Sequence, residues 1–409
     1  MFKEIKKCRL CGNKNLVKIL DLGSQYLTGI FPKKINIKLK KYPLILVKCH
    51  GGKESCHLVQ LKHNQDYKKM FSLNYGYKSS LNKSMVDHLQ SKVKRIVDND
   101  KLNKNDIIVD IGSNDGTTLS FFSSRLIRIG FDPIGEKFKE NYKDKILVKE
   151  FFSSKSYFNR LEKKAKIILS LSMFYDVEDP ISFCKQIEEI IDAEHGKWIL
   201  EQSYLPTMVK KNSYDTICHE HLTYYSLSQI NWILKKTNLK IIDFELNNIN
   251  GGSSSITVVH KNNTSHKSNK RIEKIIKNEE KFKKLKIFRD FESNIKKTKK
   301  DLVNLLDKLL QRGQFVQGIG ASTKGNVILQ YCQINSKLLK EIGEVNSEKY
   351  NHFTPGSWIK ITDQKKMLKE KNSYLLILPW HFKSFFLKQK VFKGKKLIFP
   401  LPKVKIVNN

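Results

Sequence analysis

The chain has 409 residues, 40% of them hydrophobic, which is enough for several globular domains and a sizeable core. No run of eighteen apolar residues occurs, and the start Met1-Phe-Lys-Glu-Ile-Lys-Lys-Cys8 is too short and charged for a secretory signal, so the expectation is a cytoplasmic protein with no membrane span. The net charge is +36, but only 8 of the 76 basic residues are Arg and the lysines are spread through every segment, so a solvated basic surface accounts for the charge better than nucleic-acid recognition, which favours Arg.

Residues 1–65 hold four of the seven cysteines: Cys8 and Cys11 in a C-x-x-C knuckle, then Cys49 and Cys56. Four thiolates in two pairs suit a tetrahedral structural zinc, with Zn–S distances of about 2.3 Å. A segment this short has too little core of its own, so a metal would supply folding energy. His50 and His57 are alternative ligands at this stage. Uneven cysteine usage argues against a disulfide framework.

Residues 66–263 read as one α/β domain. Helices lead in, and the stretch Asn74–Met85, with Tyr75 and Tyr77 around a glycine, suggests a loop that closes over a site. The strongest local signal is Ile107-Ile-Val-Asp-Ile-Gly-Ser-Asn-Asp-Gly-Thr-Thr-Leu119: an apolar strand, a glycine turn, a helix start. That order builds a nucleotide crevice at the carboxyl edge of a parallel sheet, with backbone N–H groups close to the ligand. It does not match G-x-G-x-x-G, which disfavours a dinucleotide site. A second apolar run ends at Asp132, the place for a carboxylate that accepts from ribose hydroxyls. Further strands are expected at 146–148, 166–171 (with Ser170 near its end) and 198–202. The later runs at 240–244 and 255–259 suit an antiparallel edge.

The sharpest catalytic candidate is the segment 212–226, containing His219, Glu220, His221, Tyr225 and Ser226, placed shortly after the fifth strand. Imidazole titrates near neutrality and suits general base catalysis. The H-E-x-x-H helix pattern is absent, which disfavours one metal ion held by both histidines. Residues 264–312 are charged with helical apolar spacing and read as one or two amphipathic helices ending at Gly313. Residues 313–409 open on a second strand–glycine turn–helix, Gln314 to Leu329, followed by strands near 341–345, 358–361 and 374–378.

The 107–119 segment resembles the first motif of class I S-adenosylmethionine methyltransferases. The ordered set is similar to sugar C-methyltransferases that methylate C-3 of nucleotide-linked 4-keto-deoxysugars. It comprises Cys8-x-x-Cys11 with Cys49 and Cys56, Asp110 to Gly116, Glu220-His221 with Tyr225-Ser226, Gly251-Gly252-Ser253, Gly318 to Asn326, and Phe353-Thr-Pro-Gly356. The resemblance implies an α/β fold in three parts: a small zinc-binding domain, a class I Rossmann-like methyltransferase domain, and a C-terminal Rossmann-like domain. It implies Cys8, Cys11, Cys49 and Cys56 on zinc. Asp110, Gly112, Asn114, Asp115, Gly116, Asp132 and Ser170 would lie around S-adenosylmethionine. His221 would be the base, with Glu220 beside it and Tyr77 (or Tyr75) over the substrate. Tyr75, His219, Tyr225, Gly252, Ser253, Lys324 and Asn326 would lie near the nucleotide-sugar, with Gly318 and Ala321 helping to position it. Two positions depart from the pattern: Cys218 stands where a tyrosine is usual, and Phe174-Tyr175-Asp176 where a histidine is usual near the end of the fourth strand. The expected partner is a nucleotide-sugar, with neither nucleic acid nor membrane, and the expected state is a monomer or weak dimer. The alternatives are a sugar O-methyltransferase for surface polysaccharide and a zinc-containing nucleic-acid-binding protein.

Overall fold

The computed structural model describes residues 2–35, 38–52, 54–64, 70, 77–264, 270–370 and 374–409. In chain order the first strands are β1 (Lys3–Glu4), β2 (Leu16–Tyr26), β3 (Lys41–Cys49), β4 (Val59–Leu61) and β5 (His63–Asn64). β1 pairs with β5, while β2, β3 and β4 form an antiparallel sheet. β2 slips register twice against β3, and Gly23, at φ +76°, lies in the second slip, where a bulge needs a residue without a side chain.

Five parallel strands follow: β6 (Ile107–Ile111), β7 (Ile127–Phe131), β8 (Ile146–Val148), β9 (Ile167–Leu171) and β10 (Lys197–Ser203). β6 is buried along its whole length, as a central parallel strand covered on both faces must be. β11 (Thr223–Tyr224) leaves this domain and pairs antiparallel with β4, joining the N-terminal sheet. β12 (Leu239–Asn247) and β13 (Ser253–His260) return as the antiparallel edge, giving the order β12-β13-β10-β9-β6-β7-β8. The chain leaves β6 for β7 on one side and comes back to β9 on the other. This reversal opens a crevice at the carboxyl ends of β6 and β9.

The helix Lys83–Asn99 covers the sheet. Asn82 caps it by accepting the Ser84 N–H at 3.0 Å, and it buries Met85, Leu89, Lys92, Val93 and Ile96 at helical spacing. The charged stretch after β13 forms the helices Lys270–Asn278 and Lys286–Gln311. The second stops where Gly313, at φ +69°, makes the left-handed turn its carbonyls need. The last sheet contains β14 (Val316–Ile319), β15 (Ile342–Glu344), β16 (Ile361–Asp363), β17 (Tyr374–Ile377), β18 (Lys396–Phe399) and β19 (Lys405–Asn408), in the order β16-β15-β14-β17-β18-β19. β14 is again a reversal point.

One hydrophobic core joins three distant parts of the chain. Leu20, Leu46 and Leu61 of the first sheet, Phe288, Phe291 and Leu306 of the long helix, and Ile319, Ile342 and Leu376 of the last sheet all belong to it, together with Tyr214, Ile217 and Cys218. The segment expected to carry catalysis is thus wedged where all three parts meet. Among the described residues no helix is long and apolar enough to cross a membrane.

Candidate active site

The turn after β6 is tight for steric reasons. Gly112 and Gly116 both sit at φ +74°, and a Cβ on Gly112 would lie 3.0 Å from that of Met173. Asp132, just past β7, closes the turn by accepting from the N–H groups of Asn114 (2.7 Å) and Ile134 (2.9 Å). The side chains of Asn114 and Asp115 hold the segment that crosses the turn, accepting from the N–H groups of Ser79 and Ser80, each at 3.0 Å. Tyr77 keeps 45% of its surface exposed and turns its hydroxyl inward beside Ser79, where burial pushes its pKa up.

Three carboxylates meet here. Burial, with Asp132 and Asp115 nearby, raises the Asp110 pKa to about 8, and its Oδ2 is buried with no hydrogen-bond partner among the described residues. Burial also raises Asp132, against the pull of its two backbone donors. An acidic pocket with an orphaned carboxylate oxygen suits a cationic ligand such as S-adenosylmethionine, which carries a sulfonium and an ammonium. Asp110, Asn114, Asp115 and Asp132 would hold it around the Gly112–Gly116 turn.

His221 is linked to this turn through the segment after β9: Met173 is the side chain that a Cβ on Gly112 would meet, and Tyr175, two residues on, packs against His221. Its Nδ1 is 2.8 Å from the Thr216 carbonyl, so Nδ1 carries the proton and Nε2 keeps its lone pair. Its ring packs 4.0 Å from that of Tyr175. Burial, reinforced by the Lys324 ammonium, lowers its pKa to about 3 despite the Thr216 acceptor. Glu220 is 5% exposed, burial raises its pKa, and its Oε2 has no partner among the described residues.

The second glycine turn reaches this place through Lys324, whose Nζ donates to the Asn250 carbonyl. Burial lowers its pKa, and Asp215 opposes that shift. Asp215 accepts from the Trp380 indole N–H at 2.8 Å. Lys211 donates to the Gly251 carbonyl at 2.9 Å, and His381 Nδ1 is buried without a partner among the described residues. Lys211, Lys324 and His381 gather at the junction with the last sheet; burial, reinforced by the two ammonium groups, holds His381 well below its usual pKa, so the lysines carry the positive charge here.

In the N-terminal module the sulfurs of Cys8, Cys11, Cys49 and Cys56 all lie within 4.8 Å of one another, with contacts of 3.4 Å for Cys8–Cys56 and Cys11–Cys49. A tetrahedral zinc with Zn–S of about 2.3 Å fits sulfurs so gathered. Neither His50 nor His57 joins the quartet, which closes the choice left open by the spacing.

Several residues expected at the site face other partners. Ser170 is fully buried, its hydroxyl accepting from the Trp198 indole at 3.1 Å. The ring of His219 is turned toward the N-terminal module, with Nε2 3.2 Å from the Tyr42 carbonyl. Tyr225 stacks on Phe174 within the core, the ring centroids 5.3 Å apart. Asn326 donates to the Thr28 carbonyl at 2.7 Å and ties the last domain to the first. Gly252 (φ +137°) and Ser253 belong to the bend beside Asn250 that receives Lys324. Tyr75 lies outside the described residues. Thr216, Asp215, Trp380 and His381 were not singled out from the sequence, and Tyr175 was noted only within the stretch where a histidine is usual. The place of Trp380-His381 just after β17, at the carboxyl end of a parallel strand, is the signal that could have found those two.

Sequence models of three families match successive parts of the chain: a zinc binding domain over residues 8–71, a methyltransferase domain over 82–243, and a C-methyltransferase C-terminal domain over 248–402. C-methyltransferase NovU of Streptomyces niveus is 22% identical over 417 residues, covering 99% of this chain and 98% of that protein. Among solved structures, magnesium protoporphyrin IX methyltransferase (ChlM) from Synechocystis PCC 6803 with bound SAM is 11% identical with a TM-score of 0.33, covering 47% of this chain and 89% of its own. An S-adenosylmethionine-dependent methyltransferase from Clostridium acetobutylicum is 10% identical with a TM-score of 0.33, covering 43% and 92%.

Proposed function

We propose that this chain, an S-adenosylmethionine-dependent C-methyltransferase with a zinc-binding N-terminal module, methylates the carbon next to the ketone of a nucleotide-linked 4-keto sugar, with His221 as base. The observation that carries this reading is the orientation of His221. The Thr216 carbonyl accepts from Nδ1–H and so leaves the Nε2 lone pair free to take a proton.

A ketone makes the proton on the adjacent carbon acidic, and His221 Nε2 accepts that proton. Burial and Lys324 keep the ring neutral in the free protein but make it a weak base there, so proton transfer depends on the negative charge developing on the bound substrate to raise the imidazole pKa. Bound S-adenosylmethionine supplies a methyl group already activated by positive sulfur, so no metal is needed for transfer. Lys324, beside His221, favours the negative charge that develops on the substrate, and that charge in turn offsets the repulsion between the ammonium and the imidazolium. Lys211 and Lys324 supply positive charge suited to the diphosphate of a nucleotide-sugar, with the neutral His381 beside them as a hydrogen-bonding group. Residues 77–80 are held to the cofactor turn by Asn114 and Asp115, which places Tyr77 beside the bound donor.

The test is mass spectrometry with methyl-labelled donor and a panel of nucleotide-linked 4-keto sugars, followed by NMR of the product. One labelled methyl on carbon supports the reading. A methoxyl signal would replace it with sugar O-methylation.

A further inference from the structure

Beside His221 stands an acid that the reaction as described leaves idle. Asp176 follows Tyr175, whose ring packs on His221 and whose carbonyl accepts from the Thr223 hydroxyl at 3.1 Å. The turn 174–176 is therefore pinned to the two residues flanking Leu222. The Oδ1 of Asp176 and the Oε2 of Glu220 are both buried with no hydrogen-bond partner among the described residues. Glu220 is the more enclosed of the two, and Asp176 keeps part of its surface accessible. Two neighbouring carboxyls in a low-dielectric site do not both ionise.

Resting on the carbanion chemistry proposed above, we propose that the carboxylic acid of Asp176 donates a hydrogen bond to the substrate's carbonyl oxygen as negative charge gathers there. The balance is simple. The C–H proton passes to His221 Nε2, and the C–H electron pair moves into the enolate, whose oxygen accepts the Asp176 O–H. When the enolate carbon forms its bond to the methyl, the methyl–sulfur bond breaks and its electron pair stays on sulfur as neutral S-adenosylhomocysteine; the ketone re-forms, Asp176 retains its proton, and the imidazolium later releases its own to water.

Burial and the nearness of Glu220 hold Asp176 well above the ordinary carboxylate range, so the acid is protonated when the base beside it is free. A carboxylic acid kept neutral in an apolar site is an effective oxyanion donor. The titratable groups around it are Glu220, Cys218, Tyr224 and His221, with the Lys324 ammonium beyond the imidazole.

The test separates proton removal from methyl transfer. With S-adenosylhomocysteine bound, exchange of the substrate's acidic C–H in D2O is followed by NMR. Removing one oxyanion donor costs about 10²–10³-fold, so Asp176→Ala should slow exchange at least about 100-fold with unchanged cofactor affinity. Asp176→Asn, which keeps a donor but cannot ionise, should stay within about 10-fold of the parent and lose the alkaline decline of its pH profile. Exchange within twofold of the parent in Asp176→Ala, or Asp176→Asn as slow as Asp176→Ala, overturns the assignment. Infrared difference spectra at pH 7 add a substrate-free check: the parent should show a protonated carboxyl band that Asp176→Asn lacks, and its absence also overturns the assignment. If the parent exchanges no 4-keto sugar, the functional reading fails, while the infrared result still decides the state of Asp176.

Discussion

The two glycine turns share one plan and carry opposite charge. In each, a short buried strand (β6 or β14) runs into a glycine at positive φ, Gly112 at +74° or Gly320 at +85°. In each, a carboxylate at the end of the neighbouring strand closes the turn. Asp132 accepts from Asn114, and Glu344 accepts from Ala321 at 2.8 Å and also from the Val345 and Asn346 N–H groups. The surroundings then diverge. The first turn gathers Asp110 and Asp115, and one carboxylate oxygen is left over. Around the second stand two lysines: Lys349 donates to the Ala321 carbonyl at 2.8 Å, and Lys324 reaches out to Asn250 beside His221. Backbone geometry alone thus makes a cradle, and the side chains decide what it holds. The first suits a cationic methyl donor, while the second, with its lysines, would suit an anionic ligand.

If the two turns bind and the residue between them reacts, His221→Ala should remove turnover and neither affinity. Loss of a positioned base costs about 10²–10⁴-fold, so steady-state kinetics should show that fall while calorimetry finds the donor bound as in the parent. Loss of donor binding would mean that His221 belongs to the first turn.

Metal removal should act on the same step from a third direction. β4 pairs with β11, Leu61 N–H donates to the Leu222 carbonyl at 2.9 Å, and Gln229 donates to the Cys56 carbonyl at 3.1 Å. The cysteine quartet therefore braces the residues immediately after His221. Chelation should open the amides of 59–61 and 222–224 together in hydrogen exchange and cost at least about 10-fold in turnover, with β6 still protected. Exchange confined to 59–61 would show that the module braces nothing beyond itself.

Lys324→Met sharpens the contrast from the basic side. A hydrogen bond to a charged group is worth about 1.5–3 kcal/mol. On that scale kcat/KM for the nucleotide-sugar should fall roughly 10- to 100-fold with donor affinity unchanged.

Asp110→Asn probes the acidic side and carries the smallest expected effect. With its pKa raised to about 8, Asp110 is largely protonated at pH 7 in the free protein. A cation bound beside it favours the carboxylate, so donor binding should release close to one proton and tighten as pH rises from about 6 to 8. The sign for folding is opposite: the raised pKa contributes stability that is full below the unfolded value near 3.8 and is lost as pH rises through about 8. Calorimetry in buffers of different ionisation enthalpy counts the proton. Asp110→Asn should abolish the release and weaken binding about 5- to 10-fold at pH 8.

Much of this was legible in the chain because it depends on neighbours in sequence. The β6 turn, the C-x-x-C knuckle, the antiparallel edge at 240–259 and the amphipathic helices ending at Gly313 are short-range patterns, and each appears where its pattern lies. β18 and β19 were not legible: each has only four residues, and their partners, not their periodicity, make them strands.

Sequence by itself determined the residue types available for chemistry: a cysteine quartet, an acidic glycine turn, two histidines either side of a glutamate and a lysine after a second turn. Only tertiary structure decided which of them meet. It separated His221 from His219, excluded His50 and His57 from the sulfur cluster, gave Ser170 to an indole and Asn326 to the Thr28 carbonyl, and set Asp176 beside Glu220. The reason is physical. A side chain's role follows from its partner and its dielectric surroundings, and here most of those partners come from other elements, many of them more than forty residues away.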